Sequence, residues 1–293
     1  MELSTRDIVS RSIYTEVREG RGTEHGGAYL DISHKPADYV KKKLPSMYHQ
    51  FKELADVDIT TGPMEVGPTC HYMMGGIRVD AETAQSTLPG LYAAGEAAAG
   101  LHGANRLGGN SLSDLLVFGR RAGKSAADYA NRAPEARLDS SQLEAAEREM
   151  LAPFERTAGE FPYEIHRDLQ DTMQSLVGIF RNRDDLEKAL DAIERLKPRL
   201  DRVRIDGSRM FNPGWHLTRD LRAMLLISEA VTRSALAREE SRGAHSRIDF
   251  PNTDEAWGKK NNIVASVDGT MTMRENPVAE LPEELKKILQ EIK

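Results

Sequence analysis

The second half of the chain is patterned at helical spacing. Apolar residues recur three and four apart as Leu143, Met150, Leu151 and Phe154, and again as Ile165, Leu169, Met173, Leu176 and Phe180. Two further runs follow: Leu186, Leu190, Ile193 and Leu200, then Leu217, Leu221, Met224, Ile227 and Val231. Such spacing gathers apolar side chains on one face of each helix, so these segments predict a helical bundle. Its loops are expected at Phe161-Pro162, Asp206-Gly207 and Asn212-Pro213-Gly214, and a short amphipathic helix is expected over 280–293. The first half is mixed. Helices are predicted over 7–19, 37–43 and 47–54, a strand over 28–32, and short extended pieces over 57–80, broken by Gly62-Pro63 and Gly67-Pro68. A short buried strand is predicted over 90–94. A helix over 111–129 follows it, capped by the side chain of Asn110. Gly119 and Gly123 share one face of that helix, where another backbone could pack closely. The character changes at Arg132-Ala133-Pro134, which places a boundary near residue 135 and makes the fold class α+β.

Composition narrows the function classes. A formal net charge of −6 argues against a general nucleic-acid binder, which would carry a basic patch or domain. No run of 18 or more apolar residues is present, so no segment reads as a membrane span. Residues 1–7 have no apolar stretch after a basic start and do not read as a secretory signal. Cys70 is the single cysteine, which excludes an internal disulfide and a cysteine-ligated iron–sulfur cluster, and no metal site is expected. A reducing, cytoplasm-facing compartment is the simplest reading.

The chemistry concentrates in one stretch. Leu91-Tyr92-Ala93-Ala94-Gly95-Glu96 leads into His102-Gly103-Ala104-Asn105-Arg106-Leu107-Gly108-Gly109-Asn110-Ser111-Leu112. Glycines remove side-chain bulk, so backbone amides and one arginine can approach an anionic ligand closely. An isolated arginine more often ties a loop down. In this setting the Arg106 fork can meet a carboxylate through two charge-assisted hydrogen bonds. The helix beginning at Ser111 offers unpaired amides and a partial positive charge, although a well-capped structural helix would look the same. Upstream stands Thr69-Cys70-His71-Tyr72-Met73-Met74-Gly75-Gly76, and near the start Ser4-Thr5-Arg6-Asp7. Taken alone, His71 would be a structural histidine, Arg6 a solvated residue and Ser4 or Thr5 a helix cap.

Together these motifs resemble the flavoprotein subunit of succinate dehydrogenase and fumarate reductase. The resemblance covers nearly the whole chain but only the C-terminal half of the family. It implies the end of a capping domain over 1–66, the C-terminal segment of an FAD-binding domain over 67–135, and a C-terminal helical domain over 136–293. It implies that FAD is the cofactor, with Glu96 on one of its hydroxyls and Ser111 and Leu112 at its pyrimidine edge. It implies that His71 and Arg106 bind the dicarboxylate and that Arg6 is the proton shuttle to the substrate carbon. An arginine normally keeps its proton, so that role requires neighbouring acids and bases to restore it. The implied partners are succinate or fumarate, an iron–sulfur protein subunit, and, indirectly, membrane anchor subunits. The implied location is peripheral, on the cytoplasmic face of the inner membrane. The Met-Gly-Gly form favours this branch over L-aspartate oxidase; a non-catalytic helical interaction module is the alternative from another class.

Two features complete the reading. Glu240-Ser241-Arg242-Gly243-Ala244-His245 has a near-identical counterpart in the family, and its charge density predicts a network joining the helical domain to the flavin domain. The Gly-x-Gly-x-x-Gly turn that cradles an FAD pyrophosphate is not found; Gly20-Arg21-Gly22 is followed by Thr23-Glu24-His25-Gly26, which breaks the spacing. The sequence therefore reads as part of a longer flavoprotein or one product of a split gene, and FAD binding by this chain alone is expected to be weak.

Overall fold

The computed structural model describes residues 4–135 and 137–291. The chain divides into two compact units after Asn131. The α+β class holds.

The first unit opens with α1 (Arg6–Arg18), β1 (Ala28–Leu30), α2 (Ala37–Lys43), α3 (Pro45–Ala55) and β2 (Met64–Val66). β1 and β2 pair antiparallel, Ala28 opposite Val66 and Leu30 opposite Met64. Gly27 makes this pairing possible, since a Cβ there would stand 2.4 Å from the Val66 carbonyl oxygen. Val40, Ile59 and Met64 form a small core, with Tyr48 and Phe51 packed against it. The segment leading to α4 (Asn110–Ala130) is mostly irregular, with a 3-10 turn at Gly95–Ala97.

Three expectations for this unit need correction. The strand predicted over 90–94 is reduced to a single bridge between Gln85 and Tyr92. Ala93 and Gly95 are buried as expected of a strand core, but an alanine- and glycine-rich stretch has weak β propensity and no long neighbouring strand to extend it. Asn110 does not cap α4. Gly109, at φ 85°, takes the cap position, and no side chain caps the helix. Nothing stands within 4 Å of a Cβ built at Gly119 or Gly123, so no described backbone packs on that face.

The second unit contains α5 (Ser140–Glu155), α6 (Pro162–Leu176), α7 (Arg183–Leu200) and α8 (Pro213–Ala237). Asp139, Asn182 and Asn212 cap α5, α7 and α8 by accepting from the amides of Ser141, Asp185 and Trp215. α6, α7 and α8 enclose a core of Ile165, Leu169, Ile193, Leu196, Leu221 and Leu225. On α8 the buried face is rotated from the expected one. It runs Leu221, Leu225, Ser228, Glu229, Thr232 and Ala235, whereas Met224 and Ile227 are exposed. Glu229 and Thr232 sit inside because they are satisfied. Glu229 is paired with Lys197 and Arg233, both at 2.6 Å, and the Thr232 hydroxyl donates to the Ser228 carbonyl.

The unit is not purely helical. β3 (Lys260–Val267) and β4 (Thr270–Pro277) form an eight-pair antiparallel hairpin before α9 (Glu283–Glu291). The last two residues of the tail helix expected over 280–293 lie outside the described residues. The hairpin turn is Asp268-Gly269, with φ 50° and 76°. Two left-handed residues in succession match the right-handed twist of the flanking strands, which is why Asp-Gly favours this turn. The signal was legible and was missed.

The charged segment after α8 is a buried network. Arg247 is fully buried. Its Nη1 donates to the carbonyls of Ala235 and Leu236, which end α8, and its Nε and Nη2 grip Asp249 at 2.8 Å each. Glu240, also fully buried, accepts from both Arg238 and Arg242 and from the Asp254 amide. Every partner named here lies within the second unit. Together these contacts lock α8 to the segment before β3.

His245 belongs to this lock. Its Nε2 donates to the Arg238 carbonyl at 3.1 Å and its Nδ1 accepts from Arg181 at 3.1 Å, the tautomer of a neutral ring. Burial first, and then the charges of Arg181, Arg247 and Arg238, press its pKa down to about 4. An unfolded chain binds this proton near pH 6.5, whereas the folded protein refuses it until about pH 4. The lock therefore contributes fully above pH 6.5 and loses on the order of 3 kcal/mol as pH falls toward 4. Urea midpoints should drop between pH 7 and pH 5, and His245→Gln should flatten that drop. An unflattened profile would remove His245 as its source.

Candidate active site

His71 and Arg106, far apart in sequence, come together. Arg106 Nη2 lies 3.2 Å from His71 Nε2. A guanidinium can only donate, so Nε2 is the accepting nitrogen of the His71 ring. Beneath them lies Tyr72, whose ring face carries the Arg106 guanidinium at 4.4 Å. Arg106 Nη1 also donates to the Leu107 carbonyl at 3.4 Å. Its Nε is buried and has no hydrogen-bond partner among the described residues. A buried donor left open is costly in a native protein, and at a binding site it marks where an acceptor belongs.

The polar ends of Arg106 and His71 thus converge on one place, with His71 exposed and Arg106 half-buried. A carboxylate arriving there could meet both. The Gly103, Gly108 and Gly109 positions around them are open, since a Cβ built at each would meet nothing within 4 Å. Gly103 and Gly109 also adopt φ of 55° and 85°, which ordinary side chains rarely take.

Glu96 lies in the 3-10 turn and not at a strand end. Its Oε1 accepts from the Met73 amide at 2.7 Å, which ties the turn to the His71–Tyr72 segment. Ser111 and Leu112 occupy the first turn of α4, where no side-chain cap consumes the helix-end amides. Leu112 is exposed. An uncapped helix N-terminus, an exposed carboxylate and a glycine rim form a donor and acceptor set that fits the anionic edge and hydroxyls of a flavin nucleotide.

Arg6 is the exposed first residue of α1. Among the described residues no hydrogen bond or ion pair joins it to His71 or Arg106. Its neighbour Asp7 pairs with Arg11 at 2.7 Å, within the helix. A hydrogen bond from Thr5, above all, holds the Asp7 carboxyl below its usual range, with Arg11 adding to it.

Sequence reasoning missed Asp114. It is the one buried residue of α4, with only 4% of its side chain exposed, and it accepts from Tyr72 Oη at 3.4 Å and His102 Nε2 at 3.3 Å. Burial, followed by the Asp114 charge, raises the Tyr72 phenol above its usual range, so it remains a donor. A signal existed: Asp114 is a lone acid in the apolar run Leu112 to Val117.

With this geometry in hand, relatives are informative. Residues 166–287 match the family described as fumarate reductase flavoprotein C-term, and residues 1–112 match the FAD binding domain. The chain is 46% identical over 256 residues to a subunit of the fumarate reductase (CoM/CoB) of Methanothermobacter marburgensis, covering 87% of this chain and 46% of that protein. It is 41% identical over 291 residues to a fumarate reductase flavoprotein subunit of Mycobacterium tuberculosis, covering 95% of this chain and 50% of the relative. Among solved structures, the Mycobacterium smegmatis Sdh1 complex with UQ1 superposes with a TM-score of 0.83 at 52% identity, over 96% of this chain and 47% of its own. An adenylylsulfate reductase of Archaeoglobus fulgidus shares the fold alone, at 19% identity and a TM-score of 0.71. The chain spans about half the length of the curated relatives it matches. Among the described residues no helix is long and apolar enough to cross a membrane. Matching motifs, both family matches and these relatives agree: the chain belongs to the succinate dehydrogenase and fumarate reductase flavoprotein family, and its matched segments include that family's C-terminal domain.

Proposed function

We propose that this chain supplies the dicarboxylate-binding half of an FAD-dependent enzyme that interconverts succinate and fumarate. The observation that carries this reading is the convergence of Arg106 and His71, 3.2 Å apart, around a buried guanidinium nitrogen without a partner among the described residues. Residues 1–66 are read as the end of a capping domain, 67–135 as the C-terminal segment of the FAD-binding domain and 136–293 as the helical domain. The separate small core around Val40 and Ile59 supports the first of these.

Arg106 and His71 bind and orient one substrate carboxylate. A fixed guanidinium at a carboxylate also withdraws charge from the adjoining double bond, which favours negative charge developing on the substrate carbon. Arg6 delivers or receives the proton there. Glu96 would hold a cofactor hydroxyl, and the first turn of α4 at Ser111 and Leu112 would face the flavin's pyrimidine edge, where an uncapped N-terminus favours negative charge. FAD, when bound, supplies the two-electron donor or acceptor. The relatives are named as fumarate reductase and succinate dehydrogenase subunits, which favours this branch over L-aspartate oxidase and over a non-catalytic module. The same reading implies an electron partner in the form of an iron–sulfur subunit, membrane anchors beyond it, and a peripheral place on the cytoplasmic face of the membrane.

The test is dicarboxylate binding by the complete flavoprotein carrying this sequence. Titration with fumarate or succinate should give saturable binding, and Arg106→Met should weaken it about 100-fold, the loss expected for a charge-assisted bidentate contact. Equal affinity in the variant, or a preference for L-aspartate, would overturn the assignment.

A further inference from the structure

The hydrogen bonds behind the site point to a residue that acts on substrate without touching it. Three segments meet at Asp114: the His71–Tyr72 segment, the loop from His102 to Arg106, and α4 itself. α4 leaves Leu112, Leu115 and Leu116 exposed and buries a carboxylate instead. A buried carboxylate is costly unless it is hydrogen-bonded, so its place is set by its partners. Those partners are Tyr72 Oη and His102 Nε2. His102 also sets its ring edge-on to Tyr72, with centroids 5.4 Å apart and planes at 73°. The other face of this arrangement is the Tyr72 ring on which Arg106 lies.

We propose that Asp114 is a positioning residue for the dicarboxylate site: by accepting from Tyr72 and His102 it holds the tyrosine ring that seats Arg106, and it pins the loop carrying Arg106 to α4. The proposal rests on the reading of Arg106 and His71 as the substrate clamp. Its consequence is a separation of roles. Asp114 sets where the guanidinium stands and hence how well a carboxylate binds, while proton and electron movement are left to other groups. The loop depends on this anchor because Gly103, Gly108 and Gly109 give its backbone little stiffness of their own. Asparagine at the position keeps the shape but replaces one accepting oxygen with a donor. Both partners reach one carboxylate oxygen, Oδ2, so asparagine can keep them only through a neutral amide oxygen, which accepts more weakly than the charged group.

Asp114→Asn in the complete flavoprotein is therefore expected to raise KM for fumarate about 10- to 100-fold, the range expected when two hydrogen bonds to a charged acceptor become neutral ones, with kcat changed less than about threefold. Tyr72→Phe removes one of the same bonds from the other end and keeps the ring, so it serves if Asp114→Asn fails to fold. The two KM effects should combine less than additively, because they act on one shared contact. Hydrogen exchange of the amides of residues 101–109 should quicken at least about tenfold in either variant. Unchanged exchange and unchanged KM would overturn the proposal, as would a fall in kcat at constant KM. If the unmodified flavoprotein neither binds nor turns over dicarboxylates, the functional reading fails instead, and the exchange rates alone then decide whether Asp114 anchors the loop.

Discussion

Arg6→Ala in the complete flavoprotein should lower kcat for fumarate reduction by about 10³-fold while the flavin stays bound. The expectation follows from the role, since a positioned proton donor is worth about 10²- to 10⁴-fold in rate. Arg6 stands exposed at the start of α1, with no tie to Arg106 or His71 among the described contacts, so its removal costs the first unit little packing. That separation makes the test clean. KM should move only a few-fold, because the carboxylate clamp is built from other residues, and flavin absorbance should be unchanged. Arg6→Lys should recover little, since a flexible ammonium does not reproduce the planar fork. Turnover near that of the unmodified enzyme would remove Arg6 from the mechanism and return it to the solvated residue that its surroundings alone suggest.

Glu240→Ala should destabilise the second unit by about 3–5 kcal/mol, the cost of breaking a buried ion network by removing one partner. The carboxylate is fully buried and takes two bonds each from Arg238 and Arg242, besides the Asp254 amide. Burial alone would raise its pKa. Hydrogen bonds from Arg242, the Asp254 amide and Arg238 outweigh that and hold it at about 2. Its stabilisation is therefore complete above its ordinary pKa of 4.5 and is lost as pH falls toward 2, a window below that of His245. Thermal unfolding should read the alanine change as a drop of roughly 10 °C for a unit of this size. Glu240→Gln, which keeps the shape and loses the charge, should recover part of it. A change under about 1 kcal/mol would mean that the arginines regain water freely and that the network is not a lock.

Much of the architecture was legible in the residue pattern. Helix periodicity located α6, α7 and α8 because their cores are continuous apolar stripes, and the capping residues Asn182 and Asn212 stand where local hydrogen bonding needs them. The errors have local causes. The stretch over 90–94 has the burial of a strand without an extended neighbour, and pairing is a tertiary matter. The α8 face was misread because Glu229 and Thr232 look exposed in sequence, and only Lys197 and Arg233 make Glu229 tolerable inside. The β3–β4 hairpin carried its Asp-Gly signal openly, and the helical pattern before it masked the change of period.

At the site the division is sharper. The candidate residues Arg6, His71, Glu96, Arg106 and the Ser111–Leu112 helix start were singled out by motifs that resemble those of the family, a resemblance that needs no folded chain to be seen. The order of residues could not say that His71 and Arg106 touch, that Arg106 keeps one buried nitrogen without a described partner, or that Asp114 turns inward while its leucine neighbours stay exposed. Those facts depend on contacts between segments dozens of residues apart. Such contacts are set by which groups can be buried and satisfied together, and only the folded chain decides that.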